Sequence, residues 1–316
     1  MGERKNGMHD PTEPRSLVEL MEEEPPDEPC WIDPYVLPKG GVFLLGGEGK
    51  VGKSLIALEL ARALATGTRP FDSSLFTIRE PARVLLCEQE VGMRSLRERS
   101  IIAFSRHKWS AVKENLFYLS QVPNLQLSSD EGRQILFDAC VKVQPNVVVL
   151  DPISKMHGYE ENSNTEIAEL FRRLAILRSE FSHTGLALIL THHFRKKSNS
   201  DSHDPLDKYN FSGSRKWVDD PDTIATVHRY KEIKDKAGRV ESWFIRSSWT
   251  LRHGKPLPNL ELFLKPEDTD GPVTFHAVEG DTSALPRTTL PKLDRVEKKE
   301  KSTPLRRVVN ISGEEI

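Results

Sequence analysis

Residues 42–54 of the chain read VFLLGGEGKVGKS, an apolar segment that runs directly into a glycine-rich one. The glycine-rich part, Gly47–Ser54, fits the pattern G-x-x-x-x-G-K-[ST] of a phosphate-binding loop. Its glycines let the backbone turn tightly and aim N–H groups at phosphate oxygens, and a following helix adds the positive end of its dipole. The apolar residues over 42–45 predict a buried strand, and the leucine spacing over 54–65 predicts a helix. The sequence therefore predicts a nucleotide-binding loop between a strand and a helix. The alternative is a glycine-rich turn without a ligand.

The side chains of this loop have different expected tasks. We expect Lys53 to contact the β- and γ-phosphates of ATP and the Ser54 hydroxyl to ligate Mg²⁺. Lys50 stands at a variable position of the pattern and is interpreted as a solvated charge. The residues expected to contact the nucleotide are Gly47, Glu48, Gly49, Lys50, Val51, Gly52, Lys53, Ser54 and Leu55.

The remainder of the folded region alternates between strand-like and helix-like segments. The run Val147–Leu150 is continuously apolar, which is typical of a strand buried on both faces of a parallel sheet. Strands that alternate with helices predict an α/β fold, a doubly wound, mostly parallel sheet flanked by helices. Residues 195–220 are polar and are predicted to form a long loop. Strand-like pieces follow it, so we expect a strand-rich C-terminal extension of the sheet, with a hairpin turn at Asp270-Gly271.

Composition divides the chain into three parts. Residues 1–28 are rich in proline and glutamate and predict a disordered acidic leader. Residues 29–285 are predicted to form one domain, and residues 286–316, of mixed charge, a disordered tail. The formal net charge of −2 excludes a globally basic coat for nucleic acid. Three widely spaced cysteines and the lack of a long apolar run favour a soluble cytoplasmic protein without membrane association.

Acidic residues follow two of the predicted strands. Asp151 ends the apolar run, and a carboxylate at the carboxyl end of a parallel strand lies in the crevice where ligands bind. Asp151 is therefore the expected partner of Mg²⁺, with a helix cap as the alternative. Glu88 and Glu90 follow the strand over 83–87, and either carboxylate is a candidate to activate the attacking water. A pair of surface charges is the alternative for these two.

The order of these elements resembles that of the RecA-like ATPases, which implies a RecA-like ATPase domain over 29–285. The chain is more closely similar to the plasmid-replication helicase RepA family, with the DnaB helicases as more distant relatives. The similar segments lie between residues 31 and 264 and read LPKGGVFLLGGEGKVGKS, RVLLCEQEVGMRSLRER, NVVVLDPISKM, LALILTHHFRK and TLRHGKPLPNLEL. The phosphate-binding loop is shared by many families, whereas its combination with THH-x-x-K and LRHGKP is more specific.

This resemblance implies three catalytic assignments besides Lys53. It aligns Glu90 with the catalytic glutamate and leaves Glu88 as the reserve. It aligns His192 with the residue that senses the γ-phosphate, whereas His192 and His193 as loop-edge residues, or as a metal pair, are the alternatives. It aligns Arg252 with an arginine finger that reaches the nucleotide of a neighbouring subunit, with Arg246 as the alternative.

The resemblance also implies two loops that contact nucleic acid. Lys155, near His157, lies in the first, and Arg195, Lys196 and Lys197 open the second. Lysine and arginine there would neutralise phosphates of a single strand, and a solvated run of charges is the alternative.

The second loop also contains residues that favour nucleic-acid binding and residues that oppose it. The aromatic residues near it that could stack on bases are Phe194, Tyr209 and Phe211. The acidic residues that reduce its positive charge are Asp201, Asp204 and Asp207.

The resemblance implies a function as well as a site. The expected activity is that of a Mg²⁺-dependent ATPase that forms a ring, a hexamer, and moves on single-stranded DNA with other replication proteins as possible partners. The alternatives are an ATP-dependent switch that recruits a protein partner without unwinding, and a recombinase-like ATPase that coats DNA. A small-molecule kinase is disfavoured, because the strand-rich C-terminal third shows no acceptor site.

Overall fold

The structure, a computed structural model, describes residue 14 and residues 16–22, 30–104, 112–194, 204–234, 240–266 and 273–278. Most of the predicted leader, the whole predicted tail and the basic residues over 195–197 lie outside this part of the chain. The predictions made for them stay predictions.

Strands make up the centre of the fold. The described residues form β1 (Cys30–Ile32), β2 (Leu37–Pro38), β3 (Val42–Gly47), β4 (Val84–Glu88), β5 (Leu116–Ser120), β6 (Val147–Asp151), β7 (Ala187–His193), β8 (Thr223–Lys234), β9 (Val240–Leu251), β10 (Leu260–Pro266) and β11 (Val273–Val278). Strands β1 and β2 pair by themselves, and the other nine form one sheet in the order β11-β10-β9-β8-β3-β7-β6-β4-β5. The strands from β8 to β5 are parallel, and β9, β10 and β11 continue the sheet in antiparallel pairs. The predicted fold class is confirmed.

With the exception of the first, the described helices connect strands of the parallel part. The helices are α1 (Leu17–Glu22), α2 (Lys53–Thr66), α3 (Met93–Phe104), α4 (Asp130–Val143), α5 (Asn164–Glu180) and α6 (Lys216–Asp219). Helix α4 begins after Ser129, whose hydroxyl accepts a hydrogen bond from the Gly132 N–H and so caps the helix. None of the described helices is long and apolar enough to cross a lipid bilayer.

The structure differs from the predicted long loop over 195–220. Its described part holds a short 3-10 helix, Lys208–Asn210, and the helix α6. The 3-10 helix begins where the Asp207 carboxylate accepts a hydrogen bond from the N–H of Tyr209, at 2.9 Å. Local side-chain caps of this kind leave no hydrophobic periodicity in the sequence, so the pattern alone predicts a loop.

Both faces of the parallel strands are buried, which explains their continuous apolar sequence. On one face Leu45 and Ile189 belong to the core that includes α2, and on the other Leu44 and Leu190 belong to the core that includes α5. Successive residues of a strand point to opposite faces, so each strand contributes to both cores.

The topology brings four strand ends to one edge of the sheet. Strand β7 lies between β3 and β6, and β4 follows β6 on its other side. Because these strands are parallel, Gly47, Glu88, Asp151 and His193 all lie at the carboxyl edge. The phosphate-binding loop starts at the same edge, so a ligand there is within reach of all four strand ends.

Candidate active site

The loop between β3 and α2 requires glycine where the chain is most crowded. A Cβ on Gly46 would lie 2.1 Å from the ring of Phe211, and one on Gly47 would lie 2.7 Å from the carbonyl oxygen of Val227. Gly52, just before α2, has a φ of +103°, a conformation that side chains strongly disfavour. The backbone therefore turns sharply from the strand into the helix, as a phosphate-binding loop requires.

Lys53 is the first residue of α2 and is only 6% exposed. Its ammonium donates to the carbonyl oxygens of Gly47 and Glu48, at 2.9 and 2.8 Å, and lies 3.2 Å from Nδ1 of His193. Burial lowers the pKa of Lys53 to about 8, although Asp151, Glu90 and Glu48 act in the opposite direction. Among the described residues no carboxylate contacts the buried Lys53 ammonium directly, an arrangement that an incoming phosphate would stabilise.

Asp151 lies next to the predicted magnesium ligand Ser54. The carboxylate is 3% exposed, accepts a 2.5 Å hydrogen bond from the Thr191 hydroxyl and accepts another from Ser54. Burial raises the pKa of Asp151, against the effect of these hydrogen bonds and of Lys53. A carboxylate and a hydroxyl beside a phosphate-binding loop fit Mg²⁺, which binds few protein ligands and completes its shell with phosphate oxygens and water.

The two candidate glutamates have different surroundings. Glu88 is 3% exposed, and its carboxylate accepts from the backbone N–H groups of Glu90 and Val91, at 2.7 and 3.0 Å. Burial raises the pKa of Glu88, and these hydrogen bonds lower it. Glu90 is exposed, yet its charge acts on Lys53, Asp151 and His193. Glu88 therefore fixes the turn after β4, while Glu90 faces the crevice beside the loop.

The two histidines of β7 lie on opposite faces of the sheet. His192 is fully buried on the opposite face of the sheet from Thr191, with its ring 4.2 Å from that of Trp217. Burial lowers the pKa of His192 to about 4, so the ring is neutral at pH 7. His193 instead shares the face of Thr191 and lies against Lys53. Because side chains alternate along a strand, it is His193 that lies on the face of Lys53, and the assignment of His192 to the γ-phosphate stays a prediction.

Arg252 lies at the other edge of the sheet. It follows the end of β9, where Leu251 pairs with Thr223 at the start of β8. Its guanidinium donates to the carbonyl oxygens of Asp219 and Asp220 and lies 3.8 Å from the Asp222 carboxylate. The structure does not bring Arg252 to the loop of its own chain.

Arg246, the alternative finger, lies closer to the level of the loop. It pairs with His228, one residue beyond Val227, which pairs with Gly47. Its side chain forms an ion pair with Glu261, at 3.1 Å, and lies over the ring of Tyr230. Both candidate fingers are therefore held by contacts within the subunit.

The predicted nucleic-acid contacts are described only in part. Lys155 is exposed. Burial lowers the pKa of His193, and the charges of Lys53 and, more weakly, Lys155 act in the same direction, so Lys155 lies on the same side of the crevice. His157 is buried against Tyr159 and Trp217 and does not face solvent. Arg195, Lys196 and Lys197 lie outside the described residues.

Sequence reasoning missed Thr191 and His193 as members of this site. Both are polar residues of an otherwise apolar strand, two positions apart, and a strand with a period of two puts them on one face. That alternation was the signal available in the sequence.

A family model described as an AAA domain matches residues 9–199, more than half of the chain. The matched span includes the loop at Gly47–Ser54 and the strands β4, β6 and β7, and it ends before β8. No curated protein matches the chain.

Proposed function

Because the chain belongs to the AAA domain family of P-loop ATPases, we propose that it hydrolyses ATP with Mg²⁺ and moves along single-stranded DNA as a ring of identical subunits. Its expected task is that of a replicative helicase of a plasmid, phage or other mobile element. The observation that carries the proposal is the crevice at the carboxyl edge of the sheet. There the Lys53 ammonium interacts electrostatically with the Asp151 and Glu90 carboxylates and contacts the His193 imidazole.

Nucleotide binding follows from the loop and from Lys53. The ammonium now donates to two loop carbonyls, and phosphate oxygens would replace or supplement these acceptors with full negative charge. Ser54 and Asp151 would hold Mg²⁺, which supplies charge neutralisation between the β- and γ-phosphates when it is bound. The Thr191 hydroxyl keeps the Asp151 carboxylate oriented for this role.

Water activation is assigned to Glu90. Its carboxylate is exposed to solvent and close enough to Lys53 and Asp151 to act on their charges. A proton from the attacking water would pass to this carboxylate. Glu88 is less suited, because its oxygens already accept from two backbone N–H groups.

The sensing of the γ-phosphate is assigned to His193. When Nδ1 accepts from Lys53, the neutral ring carries its proton on Nε2, which is then the donor for a phosphate oxygen. The next N–H along the chain, of Phe194, donates to the Gly47 carbonyl at 3.0 Å, and the His193 carbonyl accepts from Ser212 at 3.2 Å. Both ends of the segment that carries Arg195–Lys197 are thereby tied to the phosphate site, which supports coupling between hydrolysis and DNA contact.

A ring would let an arginine act on the neighbouring nucleotide. Arg252 stays the first candidate and Arg246 the second, and either would first have to leave its contacts within the subunit. Mixing Arg252→Ala subunits with Lys53→Ala subunits should restore part of the activity if the finger acts between subunits. A matched mixture with Arg246→Ala identifies the alternative, and failure of both mixtures would count against a finger in trans.

The proposal is tested by ATP turnover with and without single-stranded DNA, together with the mass of the assembly. We expect many-fold stimulation by DNA, a closed ring in electron micrographs and no turnover in Lys53→Ala. ATP turnover that does not change when DNA is added would favour the ATP-dependent switch. Filaments on DNA would favour the recombinase-like ATPase that coats DNA.

A further inference from the structure

A cavity of about 420 Å³ opens beyond the carboxyl end of β7, and no role has yet been given to it. It is lined by Asn162, Tyr209, Phe211, Ser212, Gly213 and Arg215. Phe211 forms an isolated bridge with Phe194, the residue after β7, and its ring approaches Gly46. The cavity is therefore next to the phosphate-binding loop, and its size is in the range of small-ligand pockets, about 300–1,000 Å³.

Tyr209 presents an aromatic ring to solvent at this cavity. Its residue is 51% exposed, although the turn that carries it is tightly held. The Asp207 carboxylate accepts from the N–H of Tyr209, and the buried Asn210 side chain donates to the carbonyl of Asp204 at 2.7 Å. These contacts hold the backbone of Tyr209 in place, and the turn presents the ring at the surface, where an aromatic face can stack on a base.

Two cations lie over this ring, the Lys208 ammonium at 5.5 Å and the Arg215 guanidinium at 5.7 Å from its centroid. Within the described part of the chain, neither cation forms an ion pair with a carboxylate. The nearby Asp204 and Asp207 carboxylates accept from the backbone N–H groups that follow them. Two cations beside an exposed ring suit a ligand that has both flat bases and phosphates.

The floor of the cavity is fixed to the loop before α5. Ser214 donates its N–H to the Glu161 carbonyl at 2.6 Å and its hydroxyl to the Asn164 side chain at 2.5 Å. Gly213 has a φ of +91°, and a Cβ there would lie 2.1 Å from the Glu161 carbonyl oxygen. The floor is thus bare backbone, and the Asn162 side chain beside it offers an amide to a base edge.

We propose that this cavity binds one base of a single-stranded nucleic acid, which stacks on Tyr209 while Lys208 and Arg215 neutralise the flanking phosphates. The inference rests on the proposed function and adds a specific contact to it. It also explains how a protein of net charge −2 would hold a strand, because stacking contributes affinity that does not depend on total charge.

The test compares a thymidine oligonucleotide with an abasic strand of equal length, which keeps the phosphates and lacks the bases. Fluorescence anisotropy with the full chain should show a preference for the thymidine strand of about 5- to 100-fold in affinity. Tyr209→Ala should abolish this preference, and Tyr209→Phe should restore most of it, since the phenylalanine ring stacks equally. Arg215→Ala should weaken the binding of both strands and make it less dependent on salt.

Tyr35→Ala is the matched control, because Tyr35 is also exposed, at 40%, but lies beside Thr223 at the other edge of the sheet. It should keep the preference of the wild type, and thermal unfolding checks that each variant is folded. If Tyr209→Ala discriminates the two strands as the wild type does, the stacking inference is wrong.

The remaining outcomes separate the inference from the proposed function. Wild-type protein that binds both strands equally would overturn the stacking site and leave DNA binding intact. Wild-type protein that binds neither strand would overturn both. A uridine RNA strand forms the third arm: strong Tyr209-dependent binding of RNA alone would support the stacking site and overturn the assignment to DNA.

Discussion

Lys53 should make ATP binding depend on pH above about 8. Burial lowers the pKa of its ammonium from 10.5 to about 8, so the free site loses its cation as the pH rises above 8. Bound phosphates stabilise the ammonium, and the complex keeps the proton that the free protein has lost. Binding above pH 8 must therefore take up a proton, and the affinity falls as the pH increases.

The magnitude follows from the pKa of Lys53 in the free and bound states. If bound phosphates restore the ordinary lysine pKa of 10.5 from about 8 in the free protein, the affinity falls about tenfold between pH 7 and pH 9. This corresponds to about 1.4 kcal/mol of binding free energy. Below pH 7 the site is fully charged, and Lys53 contributes no further dependence.

Isothermal titration calorimetry with a non-hydrolysable ATP analogue measures this effect directly. Repeating the titration in buffers of different ionisation enthalpy counts the proton taken up. Lys53→Arg is the control, because a guanidinium stays charged throughout the range, so its weaker affinity should not change with pH. A wild-type affinity that is constant from pH 7 to pH 9 would refute the reasoning.

The other predictions concern two pairs of residues and one single residue. Glu90→Gln should bind ATP but lose at least about 100-fold in kcat. Glu88→Gln should keep its turnover and lose about 1 kcal/mol of unfolding free energy, measured in urea. The reverse pattern would exchange the roles of the two glutamates. His193→Ala should lower kcat about 10- to 100-fold, whereas His192→Ala should instead lower the free energy of unfolding by about 2–3 kcal/mol through a buried cavity. A kcat loss confined to the His192 variant would contradict the assignment of γ-phosphate sensing to His193. Gly46→Ala should destabilise the fold by at least about 1 kcal/mol, because its methyl group would overlap an aromatic ring, and an unchanged urea midpoint would contradict this packing.

The sequence was sufficient for the local elements of this fold. The apolar run at Val147–Leu150 and the glycine-rich loop each have a local physical cause, and the structure has the strand and the turn where they are predicted. The same holds for the pairing of β10 with β11, which the turn residues at 270–271 indicate. In contrast, that β7 inserts between β3 and β6 depends on contacts between distant segments, which no local pattern records.

The site shows the same division. Lys53, Ser54 and Asp151 follow from a motif and a strand end, and they lie together in the structure. The choice between His192 and His193 depends on alignment by resemblance, in which a shift of one residue reverses the face of a strand. The surroundings of Arg252 could not be predicted, because the carbonyl groups that hold it belong to residues about thirty positions earlier.

The central claim is that ATP hydrolysis drives movement on a single strand, and displacement of streptavidin from a biotinylated DNA end tests it most directly. Wild-type protein should accelerate the displacement with ATP, and neither a non-hydrolysable analogue nor the Glu90→Gln variant should do so. Displacement no faster with ATP than without it, by protein that hydrolyses ATP and binds the strand, would contradict the claim.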